Sequence, residues 1–315
     1  MAHIYIYSPA GAVRDKAGFK RGIKRLTSQG HQVEIDKDAL TSHERFAGDD
    51  ATRLQAISRA ASSGADLTLI TRGGYGLTRI LPQISYKQIA KSIASGTHWM
   101  GYSDFTAFQA ALFAKTGAAT ISGASLIADF GVDASKGEVD DITEACFDDV
   151  LLGQNEGAGW MLPKRSRSDR ALREKYVLKP LSIKASSLWG GNLSVLTSLI
   201  GTPYLPEVKG GVLWFEDTGE SPFRIERMLT QWLNAGILAQ QKAIVLGQFT
   251  ESKLYPHDRG FNIPGVVARL CSQLKIPVLT GLPFGHVPTK VMLPFGAPVR
   301  LLCDGSDAML LWDEL

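Results

Sequence analysis

His98-Trp99-Met100-Gly101-Tyr102-Ser103-Asp104, followed by the run Phe105 to Lys115, reads as a strand, a sharp turn at Ser103 and a helix. Upstream, the pattern repeats. Asp66 to Thr71 is a strand that runs into Arg72-Gly73-Gly74-Tyr75-Gly76. His3 to Ser8 is a short apolar strand, and His31 to Ile35 alternates like another. Between them, Lys16 to Ser28 places Phe19, Ile23 and Leu26 at helical spacing and stops at Gly30. Asp49 and Asp50 can cap a helix bearing Leu54, Ile57 and Ala61, which stops near Gly64. A β-α-β-α rhythm of this kind predicts an α/β fold: an N-terminal, mainly parallel sheet with helices on both faces.

The rhythm breaks over residues 155 to 185. Asn155-Glu156-Gly157-Ala158-Gly159 is turn-rich, and Lys164-Arg165-Ser166-Arg167-Ser168-Asp169-Arg170 has little apolar periodicity. The division expected is an N-terminal domain over 1–160, a linker over 161–185 and a C-terminal domain over 186–315. The basic stretch 164–179 reads as a solvated linker, because the chain as a whole is close to neutral. Beyond it, Leu193 to Leu199 is helix-like and Val212 to Phe215 is a strand ending at Glu216. Phe223 to Leu233 and Val266 to Leu274 read as helices, Ala243 to Phe249 and Ile276 to Leu279 as strands. Val291 to Leu293, Val299 to Leu302 and Ala308 to Trp312 suggest antiparallel strands. The second domain is therefore expected to be a smaller α+β unit.

Composition excludes several classes. The 315 residues are 44% hydrophobic, enough for two packed units. Lys+Arg exceed Asp+Glu by 34 to 31, a net charge of +3, which gives no broad footprint for nucleic acid. No apolar run approaches the roughly 20 residues of a membrane helix. The N-terminus lacks the basic head and long apolar segment of a signal peptide. Cys146, Cys271 and Cys303 are odd in number and far apart, with neither disulfide-framework nor metal-ligand spacing. A cytoplasmic protein is expected.

Ser103 stands where a parallel sheet presents ligand sites, after a strand and before a helix whose free N–H groups suit an oxyanion. Two roles are open to it: a helix cap, or a nucleophile, which requires a base nearby. The motif is not a full G-x-S-x-G, since Phe105 replaces the last glycine. The glycine cluster at 73–76 lets backbone approach a ligand closely. Arg79 stands where a dinucleotide loop needs its third glycine, so Gly74 reads better as an oxyanion donor alongside the Asp104 amide. Of six histidines, His286 lies in Phe284-Gly285-His286-Val287-Pro288, a loop after a strand, where catalytic side chains are commonly presented. No histidine pair has metal-binding i, i+4 spacing. Glu216, in Trp214-Phe215-Glu216-Asp217-Thr218-Gly219-Glu220, ends an apolar strand and can orient an imidazole, with Asp217 and Glu220 as competitors for that role. Tyr75, Trp189, Asn192 and Arg224 are candidates for substrate contacts.

Arg72-Gly73-Gly74-Tyr75-Gly76, Gly101-Tyr102-Ser103-Asp104, Gly190-Gly191-Asn192-Leu193, Glu216-Asp217 with Pro222-Phe223-Arg224, and Gly285-His286 fall in order along almost the whole chain. Together they resemble the serine LD-carboxypeptidases, the murein tetrapeptide carboxypeptidases and their microcin-immunity relatives. The resemblance implies a Ser–Glu–His triad at Ser103, Glu216 and His286, the serine in the first domain and the acid and base in the second. It implies a homodimer, no metal and no other cofactor. It implies a murein tetrapeptide as substrate, with terminal D-alanine released through an acyl-enzyme in cell-wall peptide recycling. Two other functions fit the same residues: hydrolysis of an acyl-nucleotide amide, and non-catalytic binding of a small molecule between two α/β lobes.

Overall fold

The computed structural model describes residues 1–133, 135, 137–164 and 179–313. The protein is a two-domain α/β molecule, with a mostly parallel six-stranded sheet and a mixed seven-stranded sheet. Its first compact unit comprises Met1–Asn155 with Gly201–Pro206 and Pro288–Pro294. The second comprises Glu156–Ile200, Glu207–Val287 and Phe295–Leu315. The chain thus passes from one unit to the other at Asn155/Glu156, ahead of the stretch 161–185 read as a linker. Of the basic stretch 164–179, residues 165–178 lie outside the described residues.

In the first unit, β1 (His3–Tyr7), β2 (Gln32–Ile35), β3 (Leu67–Ile70), β4 (His98–Gly101) and β5 (Thr120–Ser122) are hydrogen-bonded in the order β5-β4-β3-β1-β2. All four of these pairings are parallel. β1 and β3 are near-continuous apolar runs, as a strand covered on both faces requires. Connecting helices include α1 (Lys16–Ser28), α2 (Asp50–Ser62), the short α3 (Leu77–Ile80), α4 (Tyr86–Ala94) and α5 (Phe105–Thr116). Asp15 and Asp49 cap α1 and α2 by accepting from the Gly18 and Thr52 amides. α5 differs from the others in being buried on every side over Phe105–Leu112, which makes it the central helix of the unit. Phe105, Phe108, Trp99 and Tyr7 form an aromatic column against it, with centroid separations of 4.7, 5.3 and 5.7 Å. A further helix, α6 (Asp141–Leu151), is capped by Asp140.

The last strand of the first sheet was not expected there. The run at 291–293 reads as part of the C-terminal domain, but β11 (Leu293–Phe295) is hydrogen-bonded beside β5. The segment leading to it is held by side chains about 145 residues earlier: Thr143 Oγ1 donates to the Pro288 carbonyl at 2.8 Å and accepts from the Lys290 amide at 2.7 Å, while Thr289 donates to Asp140 at 2.6 Å.

The second sheet has the order β10-β9-β8-β7-β12-β13-β6. β7 (Leu181–Asn192), β8 (Val212–Thr218), β9 (Ala243–Thr250) and β10 (Val278–Thr280) pair in parallel. β12 (Pro298–Asp304), β13 (Asp307–Leu311) and β6 (Gly157–Met161) continue it antiparallel. Two of these strands fall in the region whose sequence reads as irregular. In β6, Ala158 and Trp160 point inward between exposed residues at 157, 159 and 161, an alternation that glycine content obscured. α7 (Leu193–Ser198), α8 (Pro222–Asn234) and α9 (Ile263–Gln273) accompany this sheet. No helix among the described residues is long and apolar enough to cross a membrane.

Candidate active site

β3 and β4 are adjacent and parallel, with Leu69 opposite Met100, so the segments that follow them leave the same edge of the sheet. Gly101 closes β4 without a side chain: a Cβ there would lie 2.7 Å from the Phe105 ring and 2.8 Å from Ile70 Cδ1. That absence lets α5 approach the strand and makes the turn sharp. Ser103 sits at the apex with φ of +64°, a left-handed conformation that costs a non-glycine residue about 1–2 kcal/mol. Hydrogen bonds from the Phe105 amide to the Tyr102 carbonyl (3.2 Å) and the Thr106 amide to the Ser103 carbonyl (2.9 Å) hold the turn in this state.

The glycine segment after β3 packs directly on this turn. A Cβ on Gly73 would lie 2.7 Å from Ser103 Cβ and 2.8 Å from its Oγ, and 3.3 Å from the Asp104 amide nitrogen. The glycine against the serine is therefore Gly73, whereas the residue expected as oxyanion donor is Gly74. Gly74 has φ of +119° and packs on Gly11. Asp104 is buried, and its carboxylate accepts from the Leu77 amide at 3.0 Å, tying the start of α3 to the serine turn. Burial pushes its pKa up to about 6, against the opposing effect of the Leu77 hydrogen bond. Tyr75 is 44% exposed, 5.9 Å from Phe46, with the Arg45 guanidinium 5.4 Å from its ring centroid.

Gly73→Ala is expected to lower kcat/KM about 100-fold, because a displacement of the order of 1 Å at a reacting group costs that much. Gly73 does not have a positive φ, so the backbone accepts alanine and the effect comes from crowding of Ser103 and the Asp104 amide. Steady-state kinetics together with the rate of Ser103 labelling by a serine-directed phosphonate would check this.

Beneath the turn, Lys290 Nζ lies 2.6 Å from Asp129 Oδ1 and 5.1 Å from the centroid of Tyr102, the residue before the serine. The two side chains are 2% and 1% exposed. Asp129 also accepts from the Ser125 amide at 2.7 Å. Removing one partner of a buried pair strands the other's charge, so Lys290→Met is expected to cost about 3–5 kcal/mol. The double variant Lys290→Met/Asp129→Leu is expected to recover most of it; denaturant midpoints of the two variants measure both values.

In the second unit, Glu216 lies in the interior strand β8, between β9 and β7, and is fully buried. Successive residues of a regular strand face opposite ways. Here the β8–β9 register shifts between Phe215 and Asp217, and both Glu216 and Asp217 reach Asn192 on β7. Asn192 Nδ2 donates to Glu216 Oε1 at 3.0 Å and to Asp217 Oδ1 at 3.1 Å, and its Oδ1 accepts from the Val195 amide at 3.1 Å. Asp217 accepts further from the Ser194 and Thr218 amides. Burial first, then the neighbouring Glu216 charge, push Asp217 up to about 6.

Glu216 Oε2 lies 2.8 Å from His286 Nδ1. An ionised carboxylate only accepts, so Nδ1 carries the proton and Nε2 is left with its lone pair. Gly285 makes this possible. Its φ is +145°, and a Cβ there would lie 3.0 Å from the Gln248 carbonyl and 3.4 Å from Glu216 Oε2. His286 keeps 22% side-chain exposure, so the imidazole anchored to Glu216 is not sealed from solvent.

Three expected substrate contacts change meaning. Trp189 is fully buried, donates from Nε1 to Gln241 at 3.1 Å and packs 5.9 Å from Trp232, so it belongs to the core and has no face for a ligand. Asn192 is buried against the two acids and orients them. Arg224, in the first turn of α8, is half exposed and pairs with Glu220 just ahead of the helix at 2.5 Å. The competitor Asp217 is held by Asn192 and two amides, while the histidine's partner is Glu216.

Comparison with known proteins places this geometry in context. Residues 4–123 match the LD-carboxypeptidase N-terminal domain and residues 185–301 the LD-carboxypeptidase C-terminal domain. The chain is similar to the crystal structure of muramoyltetrapeptide carboxypeptidase from Oxalobacter formigenes, with a TM-score of 0.84 and 36% identity over 99% of both chains. It is 28% identical to a probable murein peptide carboxypeptidase of Bacillus subtilis, over 88% of this chain and 81% of that protein. It is also 28% identical to the microcin C7 self-immunity protein MccF of Escherichia coli, over 95% and 90%.

Proposed function

This chain belongs to the LD-carboxypeptidase family, and from that premise we propose that it is a serine carboxypeptidase that releases terminal D-alanine from murein tetrapeptides. The observation that carries the reading is the buried Glu216 bound to His286 Nδ1 at 2.8 Å, which leaves Nε2 as a base. Ser103, strained at the apex of a strand-to-helix turn, is the nucleophile on this reading.

His286 takes the Ser103 proton as Oγ attacks the scissile carbonyl carbon. Glu216 stabilises the imidazolium that forms, and Asn192 keeps Glu216 in place. The tetrahedral oxyanion is met by backbone N–H groups of the glycine segment and the start of α5; one such donor is worth about 100- to 1000-fold in rate. Collapse of the intermediate breaks the C–N bond, and the imidazolium gives its proton to the departing D-alanine nitrogen. Water, deprotonated by His286, then hydrolyses the ester and restores Ser103. A cytoplasmic homodimer, acting on peptides recovered from the cell wall, completes the reading; the resemblance of the family motifs supports it.

The test is incubation of the protein with a diaminopimelate-containing murein tetrapeptide. Tripeptide plus free D-alanine, seen by mass spectrometry, is the expected result. An unchanged tetrapeptide with the fold intact would overturn the assignment.

A further inference from the structure

Ion pairs around the first sheet engage Arg21, Arg53, Arg59 and Arg79. Arg14, Arg45 and Arg72, by contrast, pair with no carboxylate among the described residues. Arg45 lies 5.4 Å from the ring of Tyr75 in the glycine segment, and the charges of both Arg14 and Arg45 are felt at Arg72. Arg72 is the half-buried one. Its guanidinium lies over two glycines: Cζ is 3.7 Å from where a Cβ on Gly11 would sit, and Nη2 is 3.7 Å from where one on Gly74 would sit. Its Nη1 donates to the Ala12 carbonyl at 3.4 Å, which leaves most of its five N–H donors uncommitted to the protein. Burial, together with the positive charges of Arg14 and Arg45, holds this guanidinium below the usual arginine range. Three like charges kept together without a close ion pair among the described residues, in a chain of net charge only +3, mark a place for an anion.

Proximity to Ser103 specifies which anion. A Cβ on Gly11 would lie 3.7 Å from Arg72 Cζ and 2.9 Å from the Gly73 carbonyl oxygen, and a Cβ on Gly73 would lie 2.8 Å from Ser103 Oγ, so the guanidinium sits over the same glycine segment that packs on the serine. In a peptide cut at its last bond, the terminal carboxylate carbon is within about 4 Å of the scissile carbonyl carbon, since only the C–N, N–Cα and Cα–C bonds intervene. A group that binds that carboxylate must therefore be a close neighbour of the nucleophile. A guanidinium fork matches a carboxylate in two parallel hydrogen bonds.

We propose that Arg72, backed by Arg14 and Arg45, binds the free C-terminal carboxylate of the substrate and so restricts the protein to removing a terminal residue. This rests on the peptide-hydrolysis reading above and adds to it the residue that makes the reaction a carboxypeptidase one. Peptides whose last carboxyl is amidated, and internal peptide bonds, lack the group that Arg72 engages.

The experiment is a binding measurement in a Ser103→Ala background, where nothing turns over. Isothermal titration compares the murein tetrapeptide with its C-terminal amide. The acid is expected to bind roughly 10- to 100-fold more tightly, the range of a charge-assisted hydrogen-bond pair. Adding Arg72→Gln is expected to abolish the difference by weakening the acid alone; Arg72→Lys is expected to keep part of it. Arg14→Gln/Arg45→Gln, at exposed positions that leave the fold undisturbed, is expected to narrow the difference in the same direction. Equal affinity for acid and amide, no measurable binding of either, or an Arg72→Gln effect equal on both would overturn the proposal. The two readings fail separately. Release of D-alanine by the unmodified protein with no acid preference would remove the carboxylate site and keep the hydrolase; an Arg72-dependent acid preference without hydrolysis would do the reverse.

Discussion

Ser103→Ala is expected to lower kcat on the tetrapeptide by about 10⁵- to 10⁶-fold, the scale on which loss of a serine nucleophile is felt. What remains would come from binding and oxyanion stabilisation, which act without the hydroxyl. Labelling by a serine-directed phosphonate is expected to vanish in the same variant. The fold is expected to be unaffected, because alanine meets the left-handed backbone at residue 103 with the same Cβ that serine does. Ser103→Gly separates the two roles of the position. It is equally inactive, yet it removes a strain of about 1–2 kcal/mol at φ of +64°. Glycine's greater unfolded-state freedom offsets about 0.4–1 kcal/mol of that gain. An inactive variant at least as stable as the parent, seen in parallel thermal melts, is the expected signature of strain retained for function. Retention of more than about one-hundredth of parental kcat by Ser103→Ala would remove Ser103 from the chemistry.

The second large effect is at Glu216. Glu216→Gln is nearly isosteric and keeps the buried site filled, but kcat is expected to fall by about 10⁴, with KM close to the parental value. Asn192 decides the outcome. Its Nδ2 donates to Glu216 Oε1, so a glutamine would turn its carbonyl oxygen toward Asn192 and its amide nitrogen toward His286. That nitrogen has only protons to offer Nδ1. Nδ1 must then accept, the ring proton moves to Nε2, and the lone pair that would receive the serine proton is gone. Kinetics on the tetrapeptide, with a melting temperature within a few degrees of the parent, test this directly. An Asn192→Ala/Glu216→Gln double variant that regains activity would support it, since the glutamine could then rotate its carbonyl toward the imidazole. A loss smaller than tenfold in Glu216→Gln would move the orienting role elsewhere, with Asp217, already against Asn192, as the next candidate.

Much of this protein is legible from local pattern. Apolar runs followed by glycine or serine turns mark β3 with its glycine segment, β4 with Ser103, and β8 ending in Glu216. These are short-range signals, because a buried parallel strand and the turn after it are specified by a handful of consecutive residues. The parallel α/β class follows from their alternation with helices. The order of motifs along the chain was likewise enough to indicate the family. Pairing at a distance was not legible. β6 and β7 lie in glycine-rich or weakly periodic sequence and become strands only because β13, β12 and β8 supply partners. The run at 291–293 has the apolar character of any edge strand, and only the tertiary structure assigns it to the first sheet, beside β5. Asn192 and Trp189 are two residue positions on one strand, three apart and similarly placed in sequence. Burial and neighbours make one the holder of two carboxylates and the other a core side chain. Gly73 and Gly74 are indistinguishable by composition, and only packing shows which one meets Ser103. Asp129 and Lys290 are 161 positions apart in number, and nothing local announces that their charges meet in the interior. Chemistry at single residues was written in the sequence; which side chains share a hydrogen bond was decided by strand register and close packing, which depend on the whole chain at once.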